Sequence, residues 1–201
     1  MQDHDDFDLV FQVEFDPPGK RKGRARANLT SGIIVWDRPG NVVTMKKPKL
    51  AITSMDKSIA ELASRTNHRR LAVWAADCAE RVLPYLEERY PEDNRPRKAI
   101  EAARAWAQTG VFRMADIRKI ALATHAAARE VKDEKAACSA ARAAGHALAT
   151  AHVRTHAIAA AMYTATALRD AVEPAHAEVA TDKEREWQLQ HLLNLSETKP
   201  L

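Results

Sequence analysis

The chain has 201 residues, with 31 Lys and Arg against 27 Asp and Glu, a formal net charge of +4, 46% hydrophobic residues and only 5% aromatic ones. That length makes one domain, or one domain with an appendage, and it buries enough surface to need no metal or disulfide staple. The two cysteines, Cys78 and Cys138, lie among alanines and not in a spaced framework, which argues against a disulfide scaffold and for a reduced, cytoplasmic setting.

The first residues carry Asp3, Asp5, Asp6, Asp8, Glu14 and Asp16 with no Lys or Arg before Lys20, the reverse of a signal peptide's basic start. Charged residues interrupt every apolar stretch before it reaches the ~18 residues of a membrane span, so no membrane partner is expected. A charge of +4 is too small to imply nucleic acid by itself.

In chain order, the β-type signals come first. Residues 9–15 alternate, with Leu9, Phe11, Val13 and Phe15 on one side, and Ile33–Trp36 and Val42–Met45 are short β-branched runs. Asp37-Arg38-Pro39-Gly40-Asn41 joins the last two as a turn, predicting a hairpin over residues 32–46. Residues 1–53 therefore read as a small segment of two or three strands. It carries a basic loop, in which Lys20, Arg21, Lys22, Arg24 and Arg26, with Lys46, Lys47 and Lys49, suit counterion-releasing contact with nucleic acid. A solvated loop, or a basic surface docked on an acidic protein, explains the same residues.

From residue 54 the apolar period becomes that of helices, and most of the 39 alanines lie there. Residues 54–201 read as mainly α, an antiparallel multi-helix array. Thr53 or Ser54 is the expected cap of a helix through Arg65, and Asn67 of the next, whose stripe is Leu71, Trp74, Ala75, Cys78, Val82, Tyr85 and Leu86 with a kink at Pro84. Pro96 opens a helix with the stripe Ile100, Ala103, Trp106 and Ala107, ended by Thr109-Gly110. Helices over 114–130 and 133–150 follow, then a break near Arg154-Thr155. Thr181-Asp182-Lys183-Glu184 has the capping-box pattern that opens a last helix through Trp187, Leu189, Leu192 and Leu193. Stripes of alanine in place of leucine require close helix packing or leave voids.

His152 and His156, four residues apart, would chelate a transition metal from a continuous helix, with His125 and Asp77 as further ligands for zinc or iron. A break at Arg154 would separate the two imidazoles. The helical part has no Glu-x-x-His pair, and the chain has no Gly-x-Ser-x-Gly turn and no phosphate-binding glycine loop. Catalytic residues are accordingly not assigned, and a metal-dependent helical-bundle enzyme stands as an alternative.

The blocks Arg70-Leu71-Ala72-Val73-Trp74-Ala75-Ala76-Asp77-Cys78-Ala79-Glu80-Arg81-Val82-Leu83, then Arg95-Pro96-Arg97-Lys98-Ala99-Ile100-Glu101-Ala102-Ala103-Arg104-Ala105-Trp106, and Ala144–Ala157 resemble the immunity-protein-five-like helical family of bacteria, over about residues 67–171. The resemblance implies an α-helical, non-catalytic member of a polymorphic toxin system that protects its producer by binding a cognate toxin. Against a basic toxin cleft, an acidic patch is expected from Asp3, Asp5, Asp6 and Asp8 or from Glu87, Glu88, Glu92 and Asp93, with Asp77 and Glu80 as further contact residues. The basic segment before residue 54 lies outside the resemblance, so a nucleic-acid-binding accessory protein is the runner-up. Self-association stays open.

Overall fold

A computed structural model describes residues 50–111 and 113–197. The strands expected before residue 47 and the basic positions Lys20, Arg21, Lys22, Arg24, Arg26, Lys46, Lys47 and Lys49 lie outside the described residues.

The described part is helical, and no strand occurs within it. Its elements are α1 (Asp56–Arg65), α2 (His68–Val82), α3 (Pro84–Glu87), α4 (Arg95–Thr109), α5 (Met114–Glu130), α6 (Lys135–Ala149), α7 (His156–Ala171), a 3-10 turn (Pro174–His176) and α8 (Ala177–Glu197). Several boundaries follow from single residues. The Asn67 side chain accepts the Arg69 N–H at 3.0 Å and starts α2. Gly110, at φ 68°, ends α4 in the left-handed conformation that glycine adopts without strain. Thr53 takes part in the turn before α1, its hydroxyl accepting the Met55 N–H at 3.2 Å, although the cap position itself is Met55. Ala51 is buried and donates its N–H to Thr166 Oγ1 of α7, so the helical body includes residues that composition places ahead of it.

α6 sits at the centre. It packs against α2, α3, α4, α5 and α7, and from Ala137 to Ala149 its residues are buried on nearly every side. A helix enclosed all round needs small side chains to admit its neighbours, and Ala140, Ala141, Ala143, Ala144 and Ala147 supply them. α7 pairs most closely with α6 and also meets α2 and α8. Larger side chains fill the remaining space: Ile59, Leu71, Trp74, Val82, Leu83, Leu86, Ile100, Leu148 and Leu192. Buried threonines do not strand their hydroxyls. Thr124, Thr150, Thr164 and Thr166 each donate to the carbonyl four residues earlier, at 2.7 to 3.0 Å.

Two expectations need correcting. Pro84 does not kink α2; the helix stops at Val82 and Pro84 opens the separate turn α3, since a proline has no N–H to continue the ladder. Thr181 does not cap the last helix, which begins four residues earlier at Ala177, and the Thr181 hydroxyl bonds back to the Ala177 carbonyl at 2.7 Å. The buried face of α8 is Thr181, Glu184, Arg185, Gln188 and Leu192, while Trp187, Leu189 and Leu193 are only half-buried. No helix among the described residues is long and apolar enough to cross a membrane.

Candidate functional site

Three groups of side chains carry the chemistry of the helical body. The first is a polar chain along the contact of α2 with α8 and α4. Asp77, Glu80 and Arg81 stand at i, i+3 and i+4 on α2 and share a face. Asp77 binds Arg104 of α4 at 2.9 Å through one oxygen and lies 2.8 Å from His191 Nε2 of α8 through the other. Glu80 accepts from Arg97 at 2.5 Å, and Arg97 also forms two bonds of 2.8 Å to Glu87. These carboxylates raise the affinity of the Arg97 guanidinium for its proton, Glu87 foremost. Arg81 reaches Glu184 at 2.9 Å and lies 3.9 Å above the Trp187 ring, which in turn stacks on His191.

Behind it the chain enters the interior. Glu184, Arg185 and Gln188 are buried. Gln188 donates to Glu184 and to the Ala161 carbonyl, both at 3.0 Å, and accepts from Arg185 at 2.6 Å; Arg185 also binds Asp56 of α1. Trp74 Nε1 closes the group by donating to the Gln188 carbonyl at 2.9 Å. Burial raises the Glu184 pKa despite its arginine partners and lowers that of Arg185. Burial also pushes the Cys78 thiol well up, which suits a packing residue more than a nucleophile.

The second group is a row of imidazoles. His152, exposed in the α6–α7 turn, has its ring 5.5 Å from His156; His156 is 5.2 Å from His146; His146 is 5.5 Å from His125 and stacks on Tyr163 at 5.3 Å. The Nδ1 atoms of His146 and His156 are 3.1 Å apart. Burial holds the His156 pKa down to about 4 and that of His146 well below the ordinary range, and it lowers His152 as well. Gly145 lies under His125: a Cβ there would come within 2.9 Å of the ring, so glycine permits this approach of α5 to α6.

The third group closes helix ends. Arg154 Nη2 donates to the carbonyls of Ala63, Ser64 and Thr66 at 3.3, 3.3 and 2.6 Å, capping α1. Arg69 donates to Ala107 and Gln108 at the end of α4, and His68 Nε2 lies 2.6 Å from the Thr150 carbonyl at the end of α6. Cationic side chains suit helix C-termini because carbonyl dipoles converge there. The turns α1–α2, α4–α5 and α6–α7 thus meet at one end of the helical body.

Of the four expected metal ligands, His125, His152 and His156 are strung along one row, while Asp77 is engaged elsewhere by Arg104 and His191. The break between α6 and α7 puts His152 in a turn and His156 at a helix start, so they do not share a helix face. Among the described residues no group of three or more His, Cys, Asp or Glu side chains is placed to hold a metal ion. Of the expected contact acids, Asp3, Asp5, Asp6 and Asp8 lie outside the described residues, Asp77, Glu80, Glu87 and Asp93 are occupied by arginines of the same chain, and Glu88 and Glu92 stand exposed at the opposite end. Sequence reasoning missed the buried group of α8 and the arginine and histidine caps. The first lay hidden because its face is polar, the second because caps reach between turns distant in sequence.

A family model described as Imm-5 like putative immunity protein matches residues 61–195. The chain belongs to this family. The match runs from the middle of α1 to near the end of α8, so the immunity-protein family accounts for almost the whole helical body. No curated protein and no solved structure matches the chain. Within the family's stretch, Asp77, Glu80, Arg81, Arg97 and Arg104, which make the Trp-Ala-Ala-Asp-Cys-Ala-Glu-Arg and Arg-Pro-Arg blocks distinctive, have structural partners in α2, α3, α4 and α8.

Proposed function

We propose that the chain is an immunity protein that binds a cognate bacterial toxin in the cytoplasm and neutralises it without catalysis. The observation that carries this reading is the family match over residues 61–195, which covers the helical body nearly end to end. A rigid array supports it: a binder that presents a preformed surface loses less entropy on association than one that must order itself. The central pair α6 and α7, packed through alanines and framed by the buried α8 group, supplies that rigidity.

The experiment is survival. Cells expressing the toxin domain encoded beside this chain in its own genome should die, and co-expression of the full chain should restore growth. Copurification of the two in one peak at equal stoichiometry should accompany rescue. Death unrelieved by the full chain, with the chain folded and abundant, would contradict the reading.

A further inference from the structure

At the end where α1–α2, α4–α5 and α6–α7 turn, residues 65–69, 106–117 and 149–157 contain Arg65, Arg69, Arg113 and Arg154 against a single acid, Asp116. Arg69 and Arg154 are held by backbone carbonyls, which fixes the guanidinium in place without cancelling its charge as a carboxylate would. Apolar side chains stand out between these cations: Val111 is 63% exposed, Met114 52% and Val153 41%. An open hollow of about 380 Å³ lies among them, lined by His68, Trp106, Met114, Ala151 and His152, with the Trp106 ring set edge-on to His68 at 4.9 Å. A half-buried tryptophan and an exposed methionine beside a hollow, on turns that also carry arginine, have the composition of a protein-binding hot spot.

We propose that this end is the toxin-binding face, and that it takes an acidic segment of the toxin whose one large apolar side chain enters the hollow beside Trp106. The inference rests on the immunity reading above and adds the face and the chemistry of the partner. Charge complementarity selects an acidic segment, since these three turns carry four arginines against one aspartate. The apolar trio Val111, Met114 and Val153 selects a protein over a nucleic acid, because a phosphate backbone gains nothing from aliphatic side chains.

The test uses the full chain and the toxin domain encoded beside it, inactivated at its catalytic residue, in isothermal titration. Two double variants are compared with the unaltered chain: Trp106→Ala with Met114→Glu, and Arg113→Glu with Met114→Glu. The second alters only exposed positions and keeps the fold, which circular dichroism melting checks. Each is expected to weaken binding by about 100-fold. Glu88→Lys with Lys135→Glu at the opposite end should leave affinity within about threefold. Tight binding by the unaltered chain and by both end variants would overturn the face and leave the immunity reading intact. Failure of the unaltered chain to bind or protect would remove that reading and the face together. A fluorescein-labelled single strand of about 20 nucleotides that binds, and is lost in the Arg113→Glu variant while toxin binding persists, would assign the end to nucleic acid and overturn the proposal.

Discussion

The two ends of the helical body hold their charged side chains in place by different means. Around residues 85–97 and 130–135 seven carboxylates face five cations, and they pair: Arg95 with Asp93 and Glu130, Arg97 with Glu87, Arg89 with Glu134. At the other end Arg69 and Arg154 bind main-chain carbonyls. An ion pair fixes two side chains and removes their net charge; a carbonyl cap fixes one and leaves its charge facing solvent. The same residue type therefore has its charge cancelled within an acidic surface at one end and left standing at the other.

The largest effect should come where the ion pair reaches into the interior, at the buried Arg185. Removing one member of a buried charge pair leaves its partner without compensation, so Arg185→Ala should lower stability by about 3 to 5 kcal/mol in urea unfolding, far more than any arginine truncation at either end. A change below about 1 kcal/mol would show that the site relaxes to water.

Acidification should separate the ends next. His156 and His146, held neutral by burial and facing His125, His152, Arg142 and Tyr163, bind protons more weakly folded than unfolded. Their contribution is full above the ordinary histidine pKa of ~6.5 and is lost as pH falls towards the folded value, about 4 for His156. That residue alone implies a loss of roughly 2 to 3 kcal/mol by pH 4, and His156→Gln should flatten this part of the curve. Asp93 and Glu130 lose their contribution in the same direction, but lower on the pH scale. Arg95 depresses both, so the stability they lend is present above the usual carboxylate range and disappears only as pH falls below it. Urea midpoints measured from pH 7 to 3 should show the histidine loss first. Flat stability between pH 6.5 and 4.5 would contradict the buried imidazoles.

Smaller still, Arg154→Ala should cost about 2 kcal/mol by uncapping α1, whereas Arg89→Ala, whose pair with Glu134 is exposed, should cost no more than about 0.5 kcal/mol. Equal losses in thermal melts would erase the distinction between cap and surface pair.

What could be read beforehand follows the same physics. The stripe Leu71, Trp74, Ala75, Cys78 and Val82 is buried as its spacing requires, Asn67 and Gly110 bound their helices, and the break before His156 is present. Periodicity failed at α8, where the inward face is Thr181, Glu184, Arg185 and Gln188; a pattern of apolar residues cannot reveal a face satisfied by hydrogen bonds. Trp106 follows the apolar stripe of α4 and packs against the core, and its place at the edge of an open hollow is what periodicity does not reveal. The acids Asp77, Glu80 and Glu87 look like a contact patch in sequence because their arginine partners lie 10 to 27 positions away.

The most direct measurement is hydrogen–deuterium exchange of the full chain with and without the inactivated toxin domain. Binding at the positive end predicts slowed exchange in residues 66–69, 106–114 and 150–154, with residues 85–97 and 131–135 unchanged. Protection confined to the acidic end, or none in a complex shown to form, would contradict the account.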